Sequence, residues 1–301
     1  MKTYDVLIIG AGPAGLTSGL YSARNGMSVL IVSKNIGGTA NMISNLDNWP
    51  GFKGSGKEFI DKFEEQLKQY DIDFTEEEAI SILKNGEEFT TKTKEGEIKS
   101  KSIIITTGME RKKLKIPGEE EFLGKGVSYC ATCDAFFFKD KTIAVLGKNN
   151  CDIESVLLLS DIANKVYFIC LDKETECKGD EKERLEKTNN VEIFYNSKPK
   201  SILGKEKVEE IEFEIEGENQ KLKIDGVFIE MGSTPLAEIT KSLGIKMDDQ
   251  KFIEVDANMN TSVKGIYAAG DVTNQKLKQV VVASAQGAIA SKSAYNWINK
   301  E

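Results

Sequence analysis

An apolar run, Tyr4-Asp-Val-Leu-Ile-Ile-Gly10, opens without a linker into Gly10-Ala-Gly-Pro-Ala-Gly15 and then into a helical stretch lasting to Ala23. A second apolar run, Ser28-Val-Leu-Ile-Val-Ser33, follows at once. Runs this uniformly apolar read as parallel strands buried on both faces, and two parallel neighbours need a crossover helix between them. The chain therefore opens as a βαβ unit with its glycines in the first turn. In that context Gly12 lets a dinucleotide pyrophosphate approach the backbone at the helix N-terminus, and Gly15 lets the helix pack closely on the sheet. One position departs from the pattern: the second strand ends in Ser33, where such sites often carry an acid for the ribose hydroxyls.

A second unit of the same kind starts at Lys141-Thr-Ile-Ala-Val-Leu-Gly147, continues through a helical segment near 153–163 and reaches the strand Lys165-Val-Tyr-Phe-Ile-Cys170. Near the C-terminus, Gly265-Ile-Tyr-Ala-Ala-Gly-Asp271 reads as a strand ending in a Gly-Asp turn, and an alanine-rich helix over 279–297 closes the chain. The expected fold class is α/β, with two dinucleotide-binding (Rossmann-like, three-layer) domains, the second inserted into the first. The expected boundaries are 1–113 with 246–301 for the first domain and 114–245 for the second.

Composition removes several functions. The chain has 301 residues, 40 Lys plus Arg against 48 Asp plus Glu, and a net charge of −8. A basic excess to offset nucleic-acid phosphates is missing. No apolar run approaches the ~20 residues that cross a bilayer, and the N-terminus enters a strand directly, so a cytoplasmic protein is expected. Histidine is absent, which removes the commonest general acid/base and metal ligand.

Cys130-Ala-Thr-Cys133-Asp134 is the second strong signal. A Cys-x-x-Cys pair closes into a small redox-active ring, and a neighbouring acid can manage its protons. Half of a structural zinc site is the competing reading, but it needs two further ligands at matched spacing. With no histidine and no second Cys-x-x-Cys, redox chemistry is expected and no metal. The other cysteines, Cys151, Cys170 and Cys177, show no paired spacing and read as buried, inert thiols.

Along nearly its whole length the chain resembles the low-molecular-weight flavoprotein thioredoxin reductases. The segments that carry the resemblance are Gly10–Gly15, Asn48-Trp-Pro-Gly51, Ile103-Ile-Ile-Thr-Thr-Gly108, Cys130–Asp134, Gly270-Asp271 and Gln279-Val-Val-Val282. The resemblance implies FAD, held by Gly10, Gly12, Pro13, Ala14, Gly15, Gly38, Asn48, Gly108, Gly270, Asp271, Gln279, Val280 and Val281. It implies Cys133 as the thiol on the flavin side, Cys130 as the thiol that attacks the thioredoxin disulfide, and Asp134 as the acid that protonates the departing thiolate. A homodimer is implied too. Trp49 reads either as part of the flavin environment or, the favoured reading, as an ordinary packed tryptophan.

The second βαβ unit breaks the family pattern. Its first glycine survives as Gly147, but the next two motif positions are Asn149 and Asp152. NADPH-dependent members carry a His-Arg-Arg-x-x-x-Arg clamp after the following strand, and here that stretch is Cys170-Leu-Asp172-Lys-Glu-Thr-Glu176. Acids in place of arginines repel a phosphate. In this respect the sequence looks like the ferredoxin-dependent flavin thioredoxin reductases, which lack both nicotinamide motifs. Reduced ferredoxin is the expected donor, with basic docking candidates at Arg111-Lys-Lys-Leu-Lys115 and at Lys276 and Lys278. The alternatives are an NADH- or NADPH-dependent enzyme, with Asp172 on the ribose of NADH, and a flavin redox sensor without turnover. A ferredoxin–nicotinamide oxidoreductase would need a nicotinamide site and no cysteine pair, the reverse of what this chain carries.

Overall fold

The computed structural model describes residues 2–43, 45–148, 153–174, 183–185 and 187–300. The chain divides into two compact units, Met1–Glu110 with Thr234–Glu301, and Arg111–Ser233.

The first unit is built on the opening βαβ pattern. Strand β1 (Thr3–Ala11) lies between β2 (Val29–Ile36) and β3 (Glu97–Ile105), parallel to both. Val6, Leu7 and Ile8 have no solvent exposure, which is why the run is apolar at successive positions instead of alternating. Ile72–Thr75 extends the sheet beyond β2, while Ile266–Ala268 pairs parallel with the end of β3. The chain thus leaves β1 for β2 on one side and returns on the other at β3. Such a reversal opens a crevice at the carboxyl ends of the two central strands, where Gly10 and Thr106 sit.

Helix α1 (Pro13–Arg24) packs against the C-terminal helix Val280–Asn299. Small residues make the approach possible. The Ser18 hydroxyl donates to the Gly287 carbonyl at 3.0 Å, and Ser22 and Ser291 share a hydrogen bond of 2.8 Å. A Cβ on Gly287 would lie 2.2 Å from the Ala14 carbonyl oxygen. The C-terminal helix begins one residue later than its sequence pattern predicts because Gln279, in extended backbone, is its N-cap.

The second unit carries a five-stranded, wholly parallel sheet in the order Val127–Ser128, Gly226–Glu230, Thr142–Gly147, Lys165–Cys170, Val191–Phe194. A three-stranded antiparallel sheet follows in the same unit, from Lys198–Gly204, Val208–Ile215 and Glu218–Lys223. The helix predicted near 153–163 runs over Ile153–Ser160, and Cys170 is buried in the core at the end of its strand.

A buried acid fixes the start of this unit. Glu119 is only 1% exposed and accepts from the N–H groups of Leu114 (3.0 Å), Lys115 (2.6 Å) and Ile116 (3.3 Å). The Tyr129 hydroxyl donates to the same carboxylate at 2.6 Å, and burial with this acidic neighbour pushes the phenol well above its ordinary pKa. Glu119→Ala strands these donors, so a loss of about 2–4 kcal/mol is expected, read as a lower urea midpoint. An unchanged midpoint would show the loop to be rehydrated without cost.

Candidate active site

The chemistry-bearing side chains lie in two places, one in each unit. In the second unit, residues 128–134 turn sharply out of a strand. Cys130 is the N-cap of a single helical turn, α2 (Ala131–Asp134), and its carbonyl accepts from the N–H groups of Cys133 (3.2 Å) and Asp134 (3.1 Å). This turn brings the two cysteines together as a disulfide, with Cα atoms 5.3 Å apart. Cys130 is half-buried, and its sulfur lies 3.4 Å from the Thr132 hydroxyl.

Asp134 sits in the same turn, and Ser128 ties it to the cysteines. The Ser128 hydroxyl donates to Asp134 Oδ2 at 2.6 Å and accepts from the Cys130 N–H at 3.0 Å. Ser128 is 4% exposed, so a single buried hydroxyl holds both the backbone of one cysteine and the acid. A carboxyl group held beside a dithiol can deliver a proton to a departing thiolate.

A second carboxylate reaches this turn from the neighbouring strand. Glu230 is the last residue of Gly226–Glu230 and its Oε1 accepts from the Ala131 N–H at 3.1 Å. Burial pushes its pKa up, opposed by that hydrogen bond, the positive charge of Arg111 and the Ser155 hydroxyl. In the sheet Glu230 is paired with Gly147, the surviving glycine of the second dinucleotide motif. Sequence reasoning missed both Ser128 and Glu230. The available signal for Glu230 was an acid closing the apolar run Val227-Phe-Ile229 at the carboxyl end of a parallel strand.

In the first unit the glycines form the expected turn. Gly10 has φ +109°, and a Cβ there would lie 2.4 Å from the Thr106 carbonyl oxygen; on Gly15 it would lie 1.9 Å from the Gly10 oxygen. Gly12 is different. It caps α1 in extended backbone with no side-chain hydrogen bond, Pro13 follows at the start of the helix, and a Cβ would meet nothing within 4 Å. The helix start is thus an open cradle that suits an anionic group, and it fits the pyrophosphate of FAD. Ser33 supports this loop: its hydroxyl accepts from the Ala11 N–H at 3.1 Å and donates to the Asn35 carbonyl at 2.8 Å.

Other expected cofactor residues gather here in part. A Cβ on Gly38 would lie 3.7 Å from the Gly12 Cα, and one on Gly270 would lie 3.0 Å from the Ala14 Cβ. The Gly270 N–H donates to Gln286 at 2.8 Å, and the Asn48 amide donates to Gln279 at 2.9 Å. Val280 is half-buried, Val281 is 39% exposed, and Asp271 follows Gly270 half-buried. The Gly108 carbonyl accepts from the Leu236 N–H at 3.0 Å. Trp49 packs on Phe59, ring centroids 4.6 Å apart.

Of the residues that break the second motif, Leu171 and Asp172 are half-buried just beyond their strand. Asn149, Asp152 and Glu176, with Cys151 and Cys177, lie outside the described residues. Among the basic candidates, Lys113 pairs with Glu120 at 2.6 Å. Lys278 donates to the Asp271 carbonyl at 3.1 Å and lies 4.1 Å from the centre of the Phe252 ring, which gives it a structural task. Among the described residues no group of three or more Cys, Asp or Glu is placed to hold a metal ion, and no helix is long and apolar enough to cross a membrane.

Residues 4–287 match the family model described as pyridine nucleotide-disulphide oxidoreductase. The F component of alkyl hydroperoxide reductase from Staphylococcus aureus is 36% identical over 302 residues, covering 99% of this chain but 59% of that protein. The chain thus spans little more than half the length of these relatives. The thioredoxin reductase of Aquifex aeolicus is 38% identical over 296 residues, 96% of this chain and 92% of that protein. Among solved structures, the thioredoxin reductase of Streptococcus pyogenes superposes with a TM-score of 0.95 at 33% identity, covering 99% of each chain. A ferredoxin-flavin thioredoxin reductase from Clostridium acetobutylicum is also 33% identical, with a TM-score of 0.56, covering 100% of this chain and 99% of that one.

Proposed function

Because this chain belongs to the pyridine nucleotide-disulphide oxidoreductase family and is thioredoxin reductase-like within it, we propose that it carries electrons from reduced ferredoxin, through FAD and the Cys130–Cys133 pair, to the disulfide of thioredoxin. The family's members are FAD flavoproteins, and the Gly12 cradle at the start of α1 fits that cofactor. FAD supplies a carrier that accepts electrons singly and passes them on as a pair. In this reading the first unit binds the cofactor and the second holds the redox cysteines. A homodimer and a cytoplasmic setting belong to the same proposal.

The observation that carries the reading is the Ser128–Asp134 hydrogen bond inside the cysteine turn. It keeps an acid beside the disulfide, which a structural disulfide does not need. Cys133 takes the cofactor side, and Cys130 is the thiol released to attack thioredoxin. The Cys130 thiolate opens the thioredoxin disulfide and forms a mixed disulfide, and Asp134 protonates the thioredoxin sulfur that leaves. Cys133 then attacks the Cys130 sulfur, re-forms the internal disulfide and releases thioredoxin with both thiols reduced.

Ferredoxin as donor is supported by the substitutions at Asn149, Asp152, Leu171, Asp172 and Glu176, and by the Glu230 carboxylate placed opposite Gly147 in the sheet. The test is anaerobic bleaching of the flavin absorbance with NADPH, NADH and reduced ferredoxin in separate runs. Bleaching by ferredoxin alone is the expected result. Rapid bleaching by either nicotinamide would overturn the donor, and a ferredoxin-reduced protein that leaves thioredoxin oxidised would favour the sensor reading.

A further inference from the structure

A cysteine at the start of a helix is ordinarily helped to ionise by the backbone N–H groups of the first turn. Cys130 has that position but not that help. It is the N-cap of α2, yet its side chain makes no capping hydrogen bond. The nearby donors are committed to oxygen atoms instead: the Ala131 N–H to Glu230, and those of Cys133 and Asp134 to the Cys130 carbonyl. With four residues, α2 is also too short to build up a substantial dipole.

One hydrogen bond does reach the sulfur. Thr132 Oγ1 lies 3.4 Å from Cys130 Sγ, and among the described residues it is the side-chain donor at that atom. A sulfur in a disulfide carries no proton, so the hydroxyl is the group that donates. We propose that Thr132 is a catalytic residue of the cysteine pair, whose hydroxyl holds Cys130 as a thiolate once the disulfide opens. The inference rests on the reading above only in taking Cys130 as the attacking thiol.

The step balances without a further reactant. A dithiol reductant breaks the Cys130–Cys133 bond, is itself oxidised to a disulfide, and passes two electrons to the two sulfurs. Thr132 gives up no proton. Its O–H stays aimed at Cys130 Sγ, and the bond strengthens as the sulfur becomes an anion, because charge-assisted hydrogen bonds are roughly twice as strong as neutral ones. The fraction of Cys130 present as thiolate then sets how fast it attacks a second disulfide. The charged and titratable groups around the turn are Asp134 within it, Glu230 with Arg111 beside it, and Tyr129 with Glu119 on the preceding segment. Exposed Glu154 on the helix Ile153–Ser160 and Lys148 beyond the adjacent strand complete the set. Substitution of exposed Thr132 leaves all of them in place, so a change between variants reports the hydroxyl.

The experiment is site-resolved alkylation of Cys130 by iodoacetamide, read by mass spectrometry across pH on the full chain. A Cys133→Ser background, reduced and freed of dithiothreitol, removes the second thiol of the pair. Thr132→Val keeps the shape of the side chain and loses the donor, so the midpoint should rise by about half to one pH unit. Below it, Cys130 should react roughly three- to tenfold more slowly. Thr132→Ser keeps the hydroxyl and should keep the midpoint. A T132V profile superimposed on its parent would overturn the proposal, and so would a T132S profile shifted as far as that of T132V, since the methyl group would then be responsible. If the Cys133→Ser background does not fold, the dithiol protein decides by Cys130 alkylation rate at one pH. A rate lowered in T132V and restored in T132S supports Thr132, while equal rates overturn it. The alkylation uses neither ferredoxin nor thioredoxin, so failure of those partners to react would count against the function and leave this result standing.

Discussion

Cys130→Ser is expected to retain FAD and to be reduced by its electron donor, yet to lose thioredoxin reduction by on the order of 10³-fold or more. Serine preserves the N-cap geometry of the turn, but its hydroxyl does not ionise near neutral pH and is a poor nucleophile toward sulfur. The companion variant should fail differently. Cys133→Ser keeps the attacking thiol and removes the resolving one, so oxidised thioredoxin should accumulate as a stable mixed disulfide on Cys130. Steady-state turnover, with non-reducing electrophoresis for the mixed disulfide, separates the two roles. Full turnover in Cys130→Ser, or trapping on Cys133 in place of Cys130, would reverse or remove the assignment.

Gly12→Val and Gly15→Val should also part company. A Cβ at Gly12 meets no atom within 4 Å and its backbone is extended, so valine is tolerated by the fold itself. What valine blocks is the approach of a pyrophosphate to the helix start. Losing about 1–3 kcal/mol of phosphate hydrogen bonding corresponds to roughly 5- to 150-fold weaker FAD binding. At Gly15 the added Cβ would lie 1.9 Å from a backbone oxygen and 2.8 Å from the Thr106 hydroxyl. Strand and helix would have to separate, at a cost of about 3 kcal/mol or more. Thermal melting without flavin, paired with a flavin titration, reads both effects. Tight FAD binding by Gly12→Val would show that the phosphates lie elsewhere.

The local parts of this protein were legible in its sequence for physical reasons. Val6–Ile9 and Ile143–Leu146 are central parallel strands, so burial on both faces wrote them as continuous apolar runs. The Gly10–Gly15 turn and the Cys130–Asp134 turn depend on spacing within a few residues, which a sequence displays directly. The parts that were not legible are those made by sheet register. Ser128 reaches Asp134 because the chain turns back on itself at Cys130, and Glu230 reaches Ala131 only because its strand runs beside Val127–Ser128. Neither pairing has a sequence signature. The hydrogen bond from Lys278 to the Asp271 carbonyl was hidden for a related reason: it depends on how the loop folds, which the sequence does not display.

The division of the chain also orders its synthesis. Residues 111–233 are contiguous, so every strand of the second unit has left the ribosome well before the first unit can close. The first unit waits for the Ile266–Ala268 strand beside β3 and for Ser291 to meet Ser22, two partners separated by 269 residues. Until then one side of α1 lacks its cover, and the cradle at its N-terminus stands on an unfinished support. The nascent chain therefore completes the unit that holds its cysteine turn before the unit that holds the Gly10–Gly15 turn.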